Sequence, residues 1–255
     1  MKNDVKVHEV SSAVLKGRRE FLKISGITLA GTGLMLAGCS SNDDEGGSSS
    51  SQLPGVRNGK FDLGGGDLGV LTYAYALEQL EADFYTRVVN NASFTSTFNA
   101  EEQQVLTDLY NHEVIHREFF KAAISGALSS AGQDVNAHLL PSLAFDYGTL
   151  NFGNRMQVLA TSKALEDTGV AAYNGAGYII TNPDYLVIAG KIVSVEARHA
   201  SAIRSLINPN SKDFAGDDVV SATNGLDQAR KPSVIIGEVV ALDFIQTQFT
   251  AQYLP

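Results

Sequence analysis

Two stretches decide how this chain is read: Asn111-His112-Glu113-Val114-Ile115-His116 and Val195-Glu196-Ala197-Arg198-His199. Each contains Glu-x-x-His. On a helix, residues three apart are neighbours on one face, with Cβ atoms roughly 5–6 Å apart. A carboxylate and an imidazole at that spacing can grip one ion together. One copy is common on solvated helix faces. Two copies, each preceded by a helix with a Glu on its apolar face, supply the donors of a four-helix site for two metals.

The flanking sequence supplies those helices. Residues 67–89 place Leu71, Ala74, Tyr75, Glu78, Ala82 and Tyr85 on one stripe at three- and four-residue spacing. A second helix starts near Asn99, suited to capping, with Glu101 and Glu102 in its first turn. Its stripe is Leu106, Leu109, Tyr110, Glu113, His116, Phe120 and Ile124. Residues 133–153 break the period with Pro141, Gly148 and Gly153; this is long for a link between neighbours and predicts a crossover along the bundle. A third helix over 154–180 aligns Leu159, Ser162, Glu166, Val170 and Tyr173. Asn182-Pro183 reads as N-cap and first position of a fourth, over 183–207, with Ile192, Glu196, His199 and Ile203 aligned. A polar stretch, 211–231, precedes a fifth apolar helix over 233–250 expected to lie on the bundle. The fold class is therefore all-α: a four-helix bundle over 67–207, and over 208–255 a loop and extra C-terminal helix.

The two halves repeat. Ala76-Leu77-Glu78 with Tyr85 matches Ala164-Leu165-Glu166 with Tyr173, and Glu113/His116 matches Glu196/His199. In each half the glutamates stand at comparable distances from the intervening turn, which brings all four to one level. An isolated buried carboxylate is costly or becomes protonated. Four facing one core would repel, whereas two divalent cations would balance them.

On these residues the chain resembles ferritin-like proteins of the di-metal carboxylate class, over roughly residues 67–207. The resemblance implies that Glu78, Glu113 and His116 serve largely one metal and Glu166, Glu196 and His199 the other, with Glu113 and Glu196 as bridging candidates. It also implies Tyr85 and Tyr173 as hydrogen-bond partners behind the ligands. Carboxylate with imidazole suits two divalent ions, iron ahead of manganese. Glu81 departs from the pattern, since its repeat mate is Gly169. It is a surface residue, a third ligand on that helix, or the ligand in place of Glu78; the repeat favours Glu78. His112 points about 100° away from Glu113 on the helix and reads as solvated. His138 has no evident partner.

Residues 1–38 read as an address. Arg18-Arg19-Glu20-Phe21-Leu22-Lys23 resembles a twin-arginine export motif, and Leu36-Ala37-Gly38-Cys39 resembles a bacterial lipobox with lipidation at Cys39. Residues 39–66, Ser- and Gly-rich, are expected to form a disordered tether. Asp43-Asp44-Glu45 reads as part of the spacer, with a weaker likeness to a surface-export signal. Gly64-Gly65-Gly66-Asp67-Leu68-Gly69 matches a dinucleotide fingerprint in letters only: nothing strand-like is expected before it, and Asp67 suits a helix N-cap.

Composition narrows the function classes. The formal charge is −9, and residues 1–38 carry six Lys and Arg against three Asp and Glu, leaving thirteen against twenty-five in the remainder. That acidity opposes nucleic-acid binding. Cys39 is the single cysteine, so thiolate clusters and internal disulfides are excluded, and with them a rubrerythrin-like second iron site. Partners are then the membrane, through lipid at Cys39, and the twin-arginine translocase; a homo-oligomer is left open. The expected place is the cell envelope, periplasmic or surface-exposed. Two functions fit: a di-metal protein that oxidises Fe²⁺ or handles dioxygen or peroxide, including a dimanganese catalase-like activity, and a non-catalytic metal-binding or stress-related structural envelope protein of the desiccation-associated kind.

Overall fold

A computed structural model describes residues 52–255. The export motif with Arg18 and Arg19, the lipidation site Cys39 and the acidic run at 43–45 lie outside them. Two short strands, β1 (Gly55–Arg57) and β2 (Lys60–Asp62), open the described chain. Then come α1 (Gly66–Val89), the single turn α2 (Phe94–Thr97), α3 (Ala100–Ser130), the turn α4 (Val135–His138), α5 (Arg155–Gly177) and α6 (Pro183–Ile207). A 3₁₀ turn at Asp213–Ala215, α7 (Pro232–Ala241) and β3 (Phe249–Thr250) complete it.

Three of the four long helices, α3, α5 and α6, begin where a side chain can satisfy free backbone N–H groups. Asn99 accepts from the Glu102 amide at 3.0 Å while Glu102 reaches back to the Asn99 amide at 2.9 Å, a reciprocal cap. Asn154 accepts from the Gln157 amide, and Asn182 from that of Asp184 ahead of Pro183. α1 packs with α3 and α5 with α6 as two hairpins, giving the four-helix bundle. α1 is buried almost without interruption from Gly69 to Ala82, more than a one-face stripe requires.

The reason is the 131–154 connection, which climbs the length of α1 as expected. His138 Nδ1 lies 2.6 Å from the Pro54 carbonyl at one end, and Thr97 donates to the Gly153 carbonyl at the other. Between them the buried Gln79 amide donates to the Pro141 carbonyl and its oxygen accepts from the Leu143 amide. Arg87 donates to the Phe145 carbonyl. His138 thus has a partner in the N-terminal segment.

Several expectations need correction. Residues 52–66, expected to belong to a disordered tether, are ordered: β1 and β2 form an antiparallel hairpin, and β2 pairs in parallel with β3 from the C-terminus. Buried Asp62 ties the three together, accepting from the Gly64 amide, the Thr250 hydroxyl and the Gln252 amide at 2.7–3.0 Å. Two of its partners, Thr250 and Gln252, are far away in sequence, so local composition did not reveal it. Consequently a strand does precede the glycine-rich stretch. No βαβ unit follows among the described residues, and the glycines serve chain packing: a Cβ on Gly64 would sit 2.6 Å from the Gln52 oxygen. Asp67 does not cap α1, whose N-cap is Gly65; its carboxylate instead accepts from the Thr181 amide and hydroxyl and the Asn182 amide. The C-terminal helix ends at Ala241 rather than 250, because Asp243 turns into the left-handed region (φ 58) and 249–250 join the sheet. No helix among the described residues is long and apolar enough to cross a membrane.

Candidate metal centre

The apolar faces of α1, α3, α5 and α6 meet around six ionisable side chains. Glu78 (α1), Glu113 (α3), Glu166 (α5) and Glu196 (α6) are fully buried, and His116 (α3) and His199 (α6) nearly so. All six residues singled out by the repeat come together at one level.

Their disposition is specific. His116 Nδ1 faces Glu196 Oε1 at 3.0 Å, Glu113 Oε2 at 3.4 Å and Glu78 Oε2 at 3.5 Å. His199 Nδ1 faces Glu113 Oε1 at 2.8 Å, Glu166 Oε2 at 3.3 Å and Glu196 Oε2 at 3.6 Å. Glu113 and Glu196 therefore turn one oxygen to each imidazole, whereas Glu78 faces only His116 and Glu166 only His199. These contacts are close without having hydrogen-bond geometry. Glu78 Oε2, both oxygens of Glu113 and of Glu196, Glu166 Oε2 and the two Nδ1 atoms are all buried and unpartnered. Buried polar atoms are almost always paired. Eight that converge unpaired form a set of donors that could share an ion.

The remaining oxygens are used. Tyr85 on α1 donates to Glu166 Oε1 across the bundle at 2.5 Å, and Tyr173 on α5 donates to Glu78 Oε1. Each tyrosine fixes one oxygen of the opposite helix's glutamate and leaves the other facing inward. Burial, and then the carboxylate each one meets, hold both phenols well above their usual pKa, so both remain donors.

The electrostatics describe a cluster short of positive charge. Burial and then the neighbouring Glu196 push Glu113 up to about 8. Burial, against the pull of His199, holds Glu166 up at about 7. For the histidines burial opposes protonation, but the carboxylates outweigh it: Glu166, Glu113 and Glu196 raise His199 to about 12, and Glu78, Glu113 and Glu196 raise His116 further still. Glu196, despite burial, is pulled down to about 2 by the two imidazoles. In the protein alone, the carboxylates thus favour the protonated form of both imidazoles.

The donor chemistry fits a metal. Glu78, Glu113, His116 and Glu196 each offer an atom within 4.8 Å of the others, as do Glu113, Glu166, Glu196 and His199. Each group could hold an ion, and Glu113 and Glu196 belong to both. Four carboxylates and two imidazoles without a thiolate suit oxygen- and nitrogen-preferring metals. A ferritin-like domain model matches residues 66–209. The chain belongs to the ferritin-like family. No curated protein matches it. Within the ferritin-like domain the match covers all four helices that carry the cluster, from the start of α1 to just past the end of α6.

Two residues near the cluster have places that the sequence did not indicate. His112 is exposed, as its solvated reading expects, yet its Nδ1 lies 2.9 Å from His199 Nε2. If His199 offers Nδ1 to an ion, its Nε2 carries the proton and donates to His112, which fixes that ring. The i−1 position of His112 relative to Glu113 gave no hint, because the contact is made across the bundle to α6. Glu81 is also buried, with Oε2 unpartnered. It is not a surface residue, and it is not among the converging donors, where Glu78 stands instead.

Proposed function

We propose that this protein is an extracytoplasmic, lipid-anchored ferritin-like protein that holds two divalent ions, iron ahead of manganese, and uses them to oxidise Fe²⁺ or to handle dioxygen or peroxide. The observation that carries the metal reading is the convergence of eight buried, unpartnered donor atoms. Glu113 and Glu196 would bridge the pair, Glu78 with His116 would complete one position, and Glu166 with His199 the other. When bound, such a pair supplies electron-transfer chemistry that side chains lack. The chain's own residues orient and insulate it. Tyr85 and Tyr173 hold the terminal glutamates in place, His112 fixes the His199 ring, and the apolar helix faces exclude water. Two ions held by Glu78, Glu113, His116, Glu166, Glu196 and His199 would take the place of the imidazole protons, which would leave to solvent, so metal uptake would release protons.

The location is supported by Arg18-Arg19 ahead of a short apolar run and by Leu36-Ala37-Gly38-Cys39. A twin-arginine route carries folded chains, which suits a site that must be filled before export. The test of the reaction is anaerobic Fe²⁺ loading followed by oxygen or peroxide. Consumption at a rate lost in Glu113→Ala supports the redox reading. Two bound ions without consumption of either oxidant would favour the non-catalytic alternative, a metal-binding structural protein of the envelope.

A further inference from the structure

Glu81 is a fifth buried carboxylate beside the cluster, and the six-residue set has no use for it. It is 3% exposed, and its Oε2 has no hydrogen-bond partner. An unpaired buried carboxyl is expensive to keep. Burial, reinforced by Glu196, Glu113, Glu166 and Glu78, drives its pKa well up in the protein alone.

The fold makes a place for this side chain. Across the bundle on α5 stands Gly169, the repeat mate of Glu81. A Cβ there would lie 3.1 Å from Glu81 Oε1 and 3.8 Å from Glu196 Oε2. Gly169 has no left-handed backbone that would demand glycine, and a glycine inside a helix is costly. Its use is the space it leaves, which Glu81 enters. The two halves of the bundle are therefore unlike at this one pair of positions. Both imidazoles come from α3 and α6, whereas Glu81 approaches from the α1 and α5 side, where the cluster has only single carboxylates.

We propose that Glu81 is a seventh protein ligand of the metal pair, given to one ion only, so that the two positions are chemically unlike. The inference rests on the di-metal reading of the site. Its chemical consequence follows from charge. Four carboxylates balance two divalent ions, and the fifth leaves one negative charge in excess. The position that takes Glu81 therefore prefers a trivalent ion over a divalent one, more strongly than its partner does.

The test is Mössbauer spectroscopy of the purified full chain loaded anaerobically with ⁵⁷Fe²⁺, together with iron-binding isotherms. The wild-type protein is expected to bind two irons and give two resolved doublets of equal area. Glu81→Gln keeps the shape and removes the charge. It should still bind two irons, one of them weakened by about 10- to 100-fold, with the doublets drawn together. Gly169→Leu, whose larger side chain fills the space Glu81 enters, should also draw the doublets together and decides alone if Glu81→Gln does not fold. Two irons in Glu81→Gln with unchanged doublets and affinities would overturn the seventh ligand and leave the di-metal reading standing. Wild-type protein that binds no iron would overturn both.

Discussion

At the scale of single residues, the cluster sets two balances that can be measured. The first is pH. In the metal-free protein Glu113 and Glu166 keep their protons up to about 8 and about 7, while the unfolded chain releases them near the ordinary carboxylate value. Between roughly pH 4.5 and 8 the unfolded state thus binds fewer protons, and stability must fall as pH rises. The histidines act in the same direction: their contribution is full below the unfolded value and fades as pH climbs toward the about 12 of His199. Glu196, held at about 2, does the reverse at the acid end, losing its contribution as pH falls through that range. Urea midpoints of metal-free protein should therefore decline from about pH 5 to pH 8, and saturating metal should abolish or reverse that decline. The second balance is steering. Tyr85→Phe frees Glu166 Oε1 from its donor and should weaken metal binding by about 10- to 100-fold without unfolding the chain; unchanged isotherms would mean the tyrosine does not orient a ligand. The six donors were legible in the sequence because each interrupts an apolar helical stripe and the repeat pairs them. His112 was not, because its partner lies on another helix and helical spacing says nothing about contacts across a bundle.

At the scale of elements, the starts of α3 and α6 followed from their caps. Asn99 with Glu102, and Asn182 with Pro183, are local signals, read over a few residues. Asn99→Ala should cost about 1 kcal/mol, seen as a lower urea midpoint with unchanged metal stoichiometry. What escaped was every contact made at long range. Gly175 lies in the last turns of α5, where glycine lowers helix propensity. In the fold it lets the chain ahead of α7 touch α5: a Cβ would lie 1.7 Å from the Arg230 oxygen, beside the hydrogen bond from the Arg230 amide to the Ala171 carbonyl. Gly175→Ala, which improves helix propensity, should nonetheless destabilise by about 3 kcal/mol, since the obstructing atoms are backbone and cannot yield as a side chain would. A stabilised variant in equilibrium unfolding would contradict that packing. The same reasoning explains the two boundary errors at either end. The segment before α1 is Gly-rich, and the segment after α7 is apolar, but each is extended because the other pairs with it.

At the scale of the whole molecule, two helix hairpins related by an internal repeat bring four glutamates and two histidines to one level, and the long connection wraps α1 so that the level is sealed. The architecture was legible because amphipathic period, caps and repeat agree with one another; the small sheet was not, because its strands are two or three residues long and distant in sequence. The charge arrangement gives the central claim its most direct test. Purified full-length protein should be titrated anaerobically with Fe²⁺ and with Mn²⁺, alongside Glu113→Ala and Glu196→Ala, and the bound metal counted after removal of excess. Two equivalents per chain in the wild type, falling below one in each variant because both ions lose a shared donor, is the predicted result. A wild type that retains no metal, or variants that retain both equivalents, would contradict it.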